Sequence, residues 1–457
     1  MKGKHIQKQS HQKIILICIL CLIMILGGCF YFNREEEIDY SQYPLLEGQI
    51  ASVGDEILFI RLDDNTQYLI SIAGAIDKNK GLLVGNRISI RYEGKLNQNN
   101  KDIQDVKVQK YEVKEIKLSQ EKKGVVNQEL STLIQNMSLE EKVAQMFLIT
   151  YPDKETETFL KTFQPGGVLM FADNFSNKTE EEVTTDIQTY QNNARIKMFF
   201  AVDEEGGSVV RVSQYYRKQR FQSPQMIYQQ GGFEAIVNDT KEKNIFLKQL
   251  GINLNLAPVC DVSINPDDFM YSRSFGKNAV ETGQYVKTVL KQMKKDNMGS
   301  CLKHFPGYGN NEDTHYQTIH DQRSYQEIKD NDFIPFQEGI KENAHMILVC
   351  HNIVDSIDSQ NPASLSKKVH NILRNDLSYD GIIITDDLSM KGIKDICSNE
   401  DSAIQAILAG NDMIISSDVE QQYQAILNAI RNNQISINQI DQSVLKILYY
   451  KQIMQIN

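Results

Sequence analysis

Short runs of apolar residues recur eight times along the C-terminal part of the chain, between Ala144 and Ile415. The intervals between successive runs are long enough for a helix, and residues 280–293 show the spacing of an amphipathic one. Continuous apolar strands that alternate with amphipathic helices are typical of a parallel sheet covered by helices. The predicted strands are residues 144–149, 167–171, 198–202, 253–259, 298–302, 345–349, 381–385 and 412–415.

Eight strand–helix units in about 330 residues match the size of a (β/α)8 barrel, also called a TIM barrel. This α/β fold is therefore predicted for residues 121–457, with an early helix that starts after Ser138 and has Glu141 in its capping box. An open doubly wound sheet is the alternative arrangement of the same elements. No glycine-rich nucleotide fingerprint follows any predicted strand, and this favours the barrel.

Residues 45–120 have a different pattern, in which short apolar runs are separated by turn residues such as Asp63, Asp64 and Asn65. Five candidate strands fit a small all-β, OB-like barrel, the architecture of oligonucleotide- and oligosaccharide-binding domains. The segment carries no catalytic constellation, so we expect a spacer or docking module, with cell-wall binding as the alternative. The candidate strands are residues 48–53, 57–62, 67–72, 87–92 and 106–113.

Residues 1–29 combine several lysines with an apolar run over residues 14–26, followed by two glycines and Cys29. A positive region, an apolar core and small residues at its end are the pattern of a secretory signal. The Leu-Gly-Gly-Cys ending resembles the lipobox of bacterial lipoproteins, which implies cleavage before Cys29 and attachment of lipid to its sulfur. The alternative is an uncleaved membrane anchor over residues 14–32. In both cases residues 30–44 form a tether, and the remaining chain is extracytoplasmic and attached to the bacterial membrane.

Composition narrows the possible functions. The chain has 457 residues and a formal net charge of −10, and it has no cluster of Lys or Arg that would favour binding to nucleic acid. Three of its seven cysteines lie in the N-terminal apolar segment, and the other four show no CxxC or Cys/His spacing of the kind that holds zinc. We therefore expect no metal ion and no cofactor. The chain has no tryptophan, so tyrosine and phenylalanine are the side chains available to stack on a bound sugar.

Polar and charged residues directly follow six of the predicted strands. Residues 303–315 are the densest such stretch, with two histidines, a lysine and two carboxylates at the end of the fifth strand. In a barrel the C-terminal ends of all strands meet at one face, where the active sites of this fold lie. The sequence therefore predicts a polar site at that face. Its candidate members are Asp203, Arg211, Asp261, Arg273, Lys303, His304, His351, Asp386, Asp387 and Asp418.

Five segments of the chain resemble the signature motifs of glycoside hydrolase family 3, and within it those of the β-N-acetylglucosaminidases. They occur in the same order as the motifs of that family. The resemblance covers roughly residues 125–457. Tyr308 stands where most members have histidine, Ser208 stands where many have arginine, and the spacer between Gly309 and Asp313 is one residue shorter than in many relatives. The chain ends soon after the eighth predicted strand, so we expect the second α/β domain of many relatives to be absent. The segments are residues 201–207 with Arg211, residues 273–276, 303–307, 313–315 and 385–390.

The resemblance implies a retaining glycosidase in which Asp386 is the nucleophile and His315, supported by Asp313, is the acid/base group. A histidine suits this role because its ordinary pKa near ~6.5 lets it donate a proton to the leaving oxygen and later accept one from water. His320 is the rival histidine and is expected at the surface, and Asp387 is expected to cap the following helix. The residues matched to sugar contacts are Asp203, Arg211, Arg273, Lys303 and His304.

The expected function is that of an exo-β-N-acetylglucosaminidase that acts on a glycan with terminal N-acetylglucosamine, such as a cell-wall fragment. Two alternatives remain open. The departures at Tyr308 and Ser208 allow a membrane-tethered glycan-binding protein without catalysis. A neutral histidine as acid/base group also allows phosphate to replace water as the acceptor, as in a phosphorylase.

Overall fold

The computed structural model describes residues 42–53, 57–62, 67–71, 87–96, 103–104, 106–114, 128–151, 163–314 and 316–456. The chain divides into two compact units, with the boundary after Ile116. The predicted signal or anchor segment, including the lipidation residue Cys29, lies outside the described residues, as does most of the tether. Among the helices that are described, none is both long and apolar enough to cross a bilayer.

The first unit is a mainly antiparallel sheet. Its strands are β1 (Leu45–Val53), β2 (Ile57–Arg61), β3 (Gln67–Ser71), β4 (Arg87–Gly94), β5 (Ile103–Gln104) and β6 (Val106–Lys114). They lie in the order β5-β3-β2-β1-β4-β6; the β3–β5 pair is parallel and the other pairs are antiparallel. Buried Ile88 and Ile90 alternate with half-exposed Ser89 and Arg91, which is the two-residue period of a strand. A strand lies at each of the five predicted positions, while the OB-like barrel stays a prediction.

The second unit is a closed barrel of eight parallel strands, which confirms the predicted (β/α)8 fold over the open sheet. The barrel strands are β7 (Phe147–Thr150), β8 (Gly167–Met170), β9 (Phe199–Val202), β10 (Leu254–Asn255), β11 (Gly299–Phe305), β13 (Met346–Val349), β15 (Ile382–Asp387) and β16 (Met413–Ser416); β12 (His320–Asp321) and β14 (Ile353–Val354) form a separate pair. The strands follow chain order around the barrel, and β16 closes it by pairing with β7. Every residue of β8, β9, β11, β13 and β16 is buried, so these strands have no face exposed to solvent.

Some strand bounds differ from the prediction, each for a local reason. β7 begins at Phe147, because residues 144–145 still belong to the preceding helix. β10 ends at Asn255, although the predicted strand continued to residue 259. Pro258 in that range lacks the backbone N–H that pairing with a neighbouring strand needs. β11 and β15 continue past their apolar runs into polar residues, which have partners inside the barrel mouth.

Helices connect the barrel strands. The described α-helices are α1 (Gln128–Gln135), α2 (Leu139–Gln145), α3 (Glu180–Asn193), α4 (Ser213–Tyr216), α5 (Pro224–Gln249), α6 (Ala279–Lys295), α7 (Tyr325–Asn331), α8 (Phe333–Lys341), α9 (Lys367–Asn371), α10 (Lys391–Lys394), α11 (Asn399–Ala409), α12 (Val419–Arg431) and α13 (Ile437–Ile453). The predicted capping box begins α2. The Ser138 hydroxyl accepts from the Glu141 N–H at 3.1 Å, and the Glu141 carboxylate accepts from the Ser138 N–H at 2.8 Å.

A buried lysine lies at the N-terminal end of the barrel strands. Lys451 in α13 is 3% exposed, its Nζ donates to Gln145 Oε1 at 2.8 Å, and it lies 5.2 Å from the centroid of the Phe199 ring. Gln145 ends α2 just before β7, and Phe199 begins β9, so this lysine is remote from the strand ends that carry the predicted site. Burial lowers the pKa of Lys451 to about 7.

We expect Lys451→Met to raise the free energy of unfolding at pH 7 by about 4 kcal/mol, because the lysine must either bury its charge or release its proton on folding and methionine does neither. The folded-state pKa lies below the unfolded-state value of ~10.4, so the unfolded chain binds more protons between those two pH values. Wild-type stability therefore rises with pH across this window, and the gain in Tm from the substitution should shrink from pH 7 to pH ~10 in calorimetry.

Lys446 on the same helix is the matched control for this prediction. Its Nζ donates to Asp412 Oδ1 at 2.8 Å, so Lys446→Met leaves a buried carboxylate with one partner fewer and should lower Tm. A Lys451→Met variant that is no more stable than wild type at pH 7, or that gains most at pH ~10, would contradict the account of the buried charge.

Candidate active site

The predicted site residues come together at the C-terminal end of the barrel. Lys303 and His304 lie within β11, and Asp386 and Asp387 end β15. Asp203 directly follows β9. Only β13 separates β11 from β15 in the barrel order, so the carboxylates of β15 and the cationic residues of β11 belong to one mouth.

A buried ion-pair network joins the ends of β9 and β11. The Lys303 ammonium lies 2.6 Å from Asp203 Oδ1 and 2.6 Å from Glu205 Oε1. The Arg273 guanidinium donates to both oxygens of Glu205, through Nη2 at 2.7 Å and Nε at 3.1 Å. Arg211 makes a longer contact, with Nη2 3.8 Å from Asp203 Oδ2. Four of the predicted sugar-contact residues are thereby gathered in one cluster with Glu205.

The network keeps its charges although it is buried. Burial alone would raise the pKa of the Glu205 carboxyl, but the charges of Arg273 and Lys303 outweigh burial and hold that pKa well below its ordinary range. Burial alone would lower the pKa of Lys303, but Asp203 and Glu205 raise it above its ordinary value. The mouth is therefore lined by fixed charges of both signs, which need no rearrangement to meet a polar ligand.

His304 is held in one orientation by partners on both sides of its ring. Its Nδ1 lies 2.7 Å from Asp261 Oδ2, and its Nε2 lies 3.2 Å from Arg273 Nη2. A carboxylate only accepts and a guanidinium only donates, so the ring proton is on Nδ1 and Nε2 is the acceptor. The other oxygen of Asp261 accepts from the Tyr308 N–H at 2.8 Å, so one buried carboxylate fixes both the histidine and the loop that follows it.

A second buried carboxylate, Glu204, shapes the loop that carries Arg211. It accepts from the N–H groups of Arg211 and Val212, each at 2.8 Å, and from the Ser213 hydroxyl at 2.5 Å. A fully buried carboxylate that accepts several backbone hydrogen bonds holds the surrounding loop in one conformation. Ser208, at the tip of the same loop, is exposed.

The two acidic residues that end β15 have different surroundings. Asp386 is half-buried, and its Oδ1 accepts from the Asp387 N–H at 2.9 Å. The Asp387 carboxylate accepts from the Ser389 N–H at 2.8 Å and from the Ser417 hydroxyl at 2.5 Å. Asp387 therefore fixes the turn after β15. The expectation that it caps the next helix is wrong, because Met390 is the N-cap residue of α10.

His351, after β13, supports the same strand end from inside the barrel. Its Nε2 lies 3.0 Å from the Asp387 carbonyl oxygen, and its Nδ1 lies 2.8 Å from the Ser364 hydroxyl. The carbonyl can only accept, so Nε2 carries the proton and Nδ1 accepts from the serine. This buried histidine positions the backbone next to Asp386.

The loop after β11 leads from the sugar-contact residues to the predicted acid/base motif. Arg323 holds its start, with Nη2 donating to the Gly307 carbonyl at 3.1 Å, while Asp321 and Asp332 bind the guanidinium at 2.7 Å and 2.8 Å. Gly307 has a φ of 118°, and a Cβ built on it would collide with the Asp332 carboxylate. Glycine is therefore required at this point, where the backbone passes directly over the ion pair.

The predicted acid/base pair is described only in part. Asp313 is half-buried and is followed by the fully buried Thr314. His315 lies outside the described residues, so its role stays a prediction from the sequence. His320, the rival histidine, is exposed and lies 2.8 Å from Asp355 Oδ1, which confirms that it is a surface residue.

The family model of the glycosyl hydrolase family 3 N terminal domain matches residues 138–449, which is more than half of the chain. The chain belongs to glycosyl hydrolase family 3. The matched range includes the whole barrel, and it includes every residue predicted for catalysis or sugar contact.

Several known proteins are similar to this chain along part of their own length. Beta-hexosaminidase A of Pseudoalteromonas piscicida is 28% identical over 335 residues, which span 66% of this chain and 56% of that relative. A beta-hexosaminidase of Methylococcus capsulatus is 27% identical over 274 residues, which span 59% of this chain and 81% of that one. The structure of a family 3 β-N-acetylglucosaminidase from Paenibacillus sp. str. FPU-7 matches with a TM-score of 0.66 and 26% identity, over 70% of this chain and 63% of that one.

Sequence reasoning assigned no role to Glu205, although this residue is central to the family 3 site. Glu204 and Glu205 directly follow Asp203, so three acidic residues in a row leave a buried strand. Such a run requires cationic partners, and Lys303 and Arg273 were already predicted at the same face. The signal was present, but the pairing joins residues 68 positions apart, and the spacing along the chain does not reveal it.

Within the part of the chain that the structure describes, no three His, Cys, Asp or Glu side chains are grouped so that they could hold a metal ion.

Proposed function

We propose that this family 3 chain is a retaining exo-β-N-acetylglucosaminidase. The observation that carries the proposal is the half-buried Asp386 carboxylate at the end of β15, at the same barrel face as the network of Lys303 and Glu205. A carboxylate on a rigid strand suits a nucleophile that must approach one carbon of the sugar in line. The beta-hexosaminidases and the β-N-acetylglucosaminidase to which the chain is similar support the choice of sugar.

The proposed reaction has two steps. In the first, an oxygen of Asp386 bonds to C1 of the sugar, the bond from C1 to the leaving oxygen breaks, and His315 gives its proton to that oxygen. In the second, neutral His315 takes a proton from water, the water oxygen bonds to C1, and the bond to Asp386 breaks. Both groups return to their starting states, and two inversions at C1 give net retention. Asp313 orients the imidazole and stabilises its charged form.

The ion-pair network is the proposed binding surface for the N-acetylglucosamine ring. Charged donors and acceptors at fixed positions form strong, oriented hydrogen bonds with sugar hydroxyl groups. Both ring nitrogens of His304 have protein partners among the described residues, so the orientation of its ring is fixed at this surface. The proposed contacts are Asp203, Arg211, Arg273, Lys303 and His304.

We also propose that the enzyme is extracytoplasmic, held at the bacterial membrane by lipid on Cys29. The support is the N-terminal pattern of lysines, an apolar run and the Leu-Gly-Gly-Cys ending. A wall glycan with terminal N-acetylglucosamine lies in the same compartment and is the proposed natural substrate.

A panel of aryl β-glycosides tests the proposed function. The full chain, extracted in detergent, is assayed on the 4-nitrophenyl N-acetyl-β-glucosaminide, β-glucoside and β-xyloside, each with and without inorganic phosphate. We expect kcat/KM to be highest for the N-acetyl substrate by roughly 10²-fold, and to be independent of phosphate. Preference for the glucoside would overturn the choice of sugar. Phosphate-dependent release of sugar 1-phosphate would establish a phosphorylase, and tight sugar binding without turnover would establish a binding protein.

A further inference from the structure

Thr314 anchors the predicted acid/base motif at two points. It lies between Asp313 and His315 in the sequence and is fully buried. Its hydroxyl is 2.7 Å from the Tyr308 hydroxyl, and its carbonyl accepts from the Gly392 N–H at 3.3 Å. A fully buried polar side chain with a short hydrogen bond is held in one position, and the backbone of Asp313 leads directly into that fixed residue.

Tyr308 connects Thr314 to the barrel. Its N–H donates to the buried Asp261, and its ring is 2% exposed. The ring packs edge-on to the His304 ring, with the ring centroids 5.3 Å apart. The centroid of the Phe269 ring lies 5.9 Å from that of Tyr308. Burial, Cys350 and Asp386 together raise the pKa of the Tyr308 hydroxyl well above its ordinary value, so this hydroxyl stays protonated and can bond to Thr314.

Gly392 connects the same threonine to the segment that carries the nucleophile. It lies in α10, a few residues after β15 ends at Asp387. A Cβ built on Gly392 would come within 2.9 Å of the Thr314 carbonyl, so the two backbones touch only because residue 392 is glycine. The Thr318 hydroxyl also donates to the Gly392 carbonyl at 3.5 Å. The acid/base loop therefore rests directly on the turn that follows the nucleophile strand.

We propose that the hydrogen-bonded pair Tyr308–Thr314 positions the acid/base motif against the nucleophile strand before substrate binds. This inference rests on the proposed glycosidase function. Tyr308 is one of the positions at which this sequence departs from most family members, and its phenol spans the loop from its base to the residue next to His315. The pair acts by positioning Asp313 and His315, and neither hydroxyl reacts.

Leaving-group dependence distinguishes positioning from stability. Tyr308→Phe and Thr314→Val each remove one hydroxyl and keep the side-chain shape. For the phenyl N-acetyl-β-glucosaminide, whose leaving oxygen needs a proton, we expect kcat/KM to fall roughly tenfold in each variant. For the 2,4-dinitrophenyl substrate, whose leaving group departs without a proton, we expect kcat/KM to change less than about twofold. Because both hydroxyls belong to the same hydrogen bond, kcat/KM of the double variant should fall no further than that of either single variant.

Tyr379→Phe is the matched control. Tyr379 is also a buried tyrosine with a bonded hydroxyl, which donates to the Ile382 and Ala344 carbonyls at 3.2 and 3.3 Å, at the other end of the barrel strands. The Tyr379→Phe variant should have the same ratio of kcat/KM values for the two substrates as the wild type. An equal fall for both substrates in Tyr308→Phe, no fall in either, or additive losses in the double variant would overturn the positioning role.

A second measurement does not depend on turnover. Hydrogen exchange followed by mass spectrometry should show faster exchange across residues 309–318 in Tyr308→Phe and Thr314→Val, and unchanged exchange there in Tyr379→Phe. If wild-type protein cleaves no N-acetylglucosaminide, the proposed function fails while this readout still tests the pair. Unchanged exchange in both hydroxyl variants would overturn the pair whatever the substrate proves to be.

Discussion

Replacing Asp386 with alanine is expected to lower kcat/KM for an aryl N-acetyl-β-glucosaminide by roughly 10⁴-fold or more. In the proposed reaction this carboxylate is the group that bonds to C1, whereas the adjacent Asp387 carboxylate accepts from the Ser389 N–H and the Ser417 hydroxyl. The side chain is half-buried at a strand end, so we expect the fold to persist. Steady-state kinetics, with circular dichroism and Tm measured in parallel, tests the prediction.

Asp387 supplies the internal control for this experiment. Its carboxylate binds the Ser389 N–H and the Ser417 hydroxyl, and asparagine retains an oxygen for one of these bonds. Asp387→Asn should therefore retain activity to within about tenfold.

A fluorinated N-acetylglucosaminyl donor that traps the covalent intermediate should label the peptide that contains Asp386. Activity of Asp386→Ala above one-hundredth of wild type, or a label on another carboxylate, would refute the assignment of the nucleophile.

Lys303→Met is expected to cost both stability and activity. The lysine ammonium lies between Asp203 and Glu205, and its loss leaves two poorly solvated carboxylates with fewer partners. We expect the free energy of unfolding at pH 7 to fall by about 3–5 kcal/mol and kcat/KM to fall by roughly 10²-fold. Denaturant unfolding and kinetics on the N-acetyl substrate measure the two effects separately.

A second substitution separates charge balance from sugar binding. In Lys303→Met/Glu205→Gln one of the two carboxylates that faced the lysine is neutralised, and Arg273 still has the side-chain oxygen of residue 205 as a partner. Stability should recover by about half or more, whereas kcat/KM should stay low because the cation at the sugar site is still missing. If the double variant is no more stable than Lys303→Met alone, the network does not carry the stability assigned to it.

The barrel was predictable because of how its strands are buried. A strand covered on both faces has no polar face, so each appears in the sequence as a continuous apolar run. Six of the predicted ranges overlap their strands closely, residues 144–149 begin three residues before β7, and residues 253–259 contain the two-residue strand β10. The error at the start of β7 arose because the last residues of α2, like those of a strand, are buried next to the apolar run, so pattern alone cannot separate helix from strand there.

The acidic and basic residues of the site were also visible in the sequence, since polar groups that directly follow buried strands must meet at one end of a parallel barrel. Their individual roles came from the resemblance to family motifs. The structure places Asp203, Arg273 and Lys303 in one network, and it places His320 at the surface, as the sequence predicted.

The sequence by itself determined the number and order of the barrel strands and the face on which the chemistry lies, because these follow from local hydrophobic periodicity and from the parallel arrangement it imposes. Only the tertiary structure decided which charges pair. Glu205 became central through Arg273 and Lys303, and Thr314 became a fixed point through Tyr308 and Gly392. Such contacts depend on how loops from different strands fold over the closed barrel, and no spacing along the chain encodes that approach.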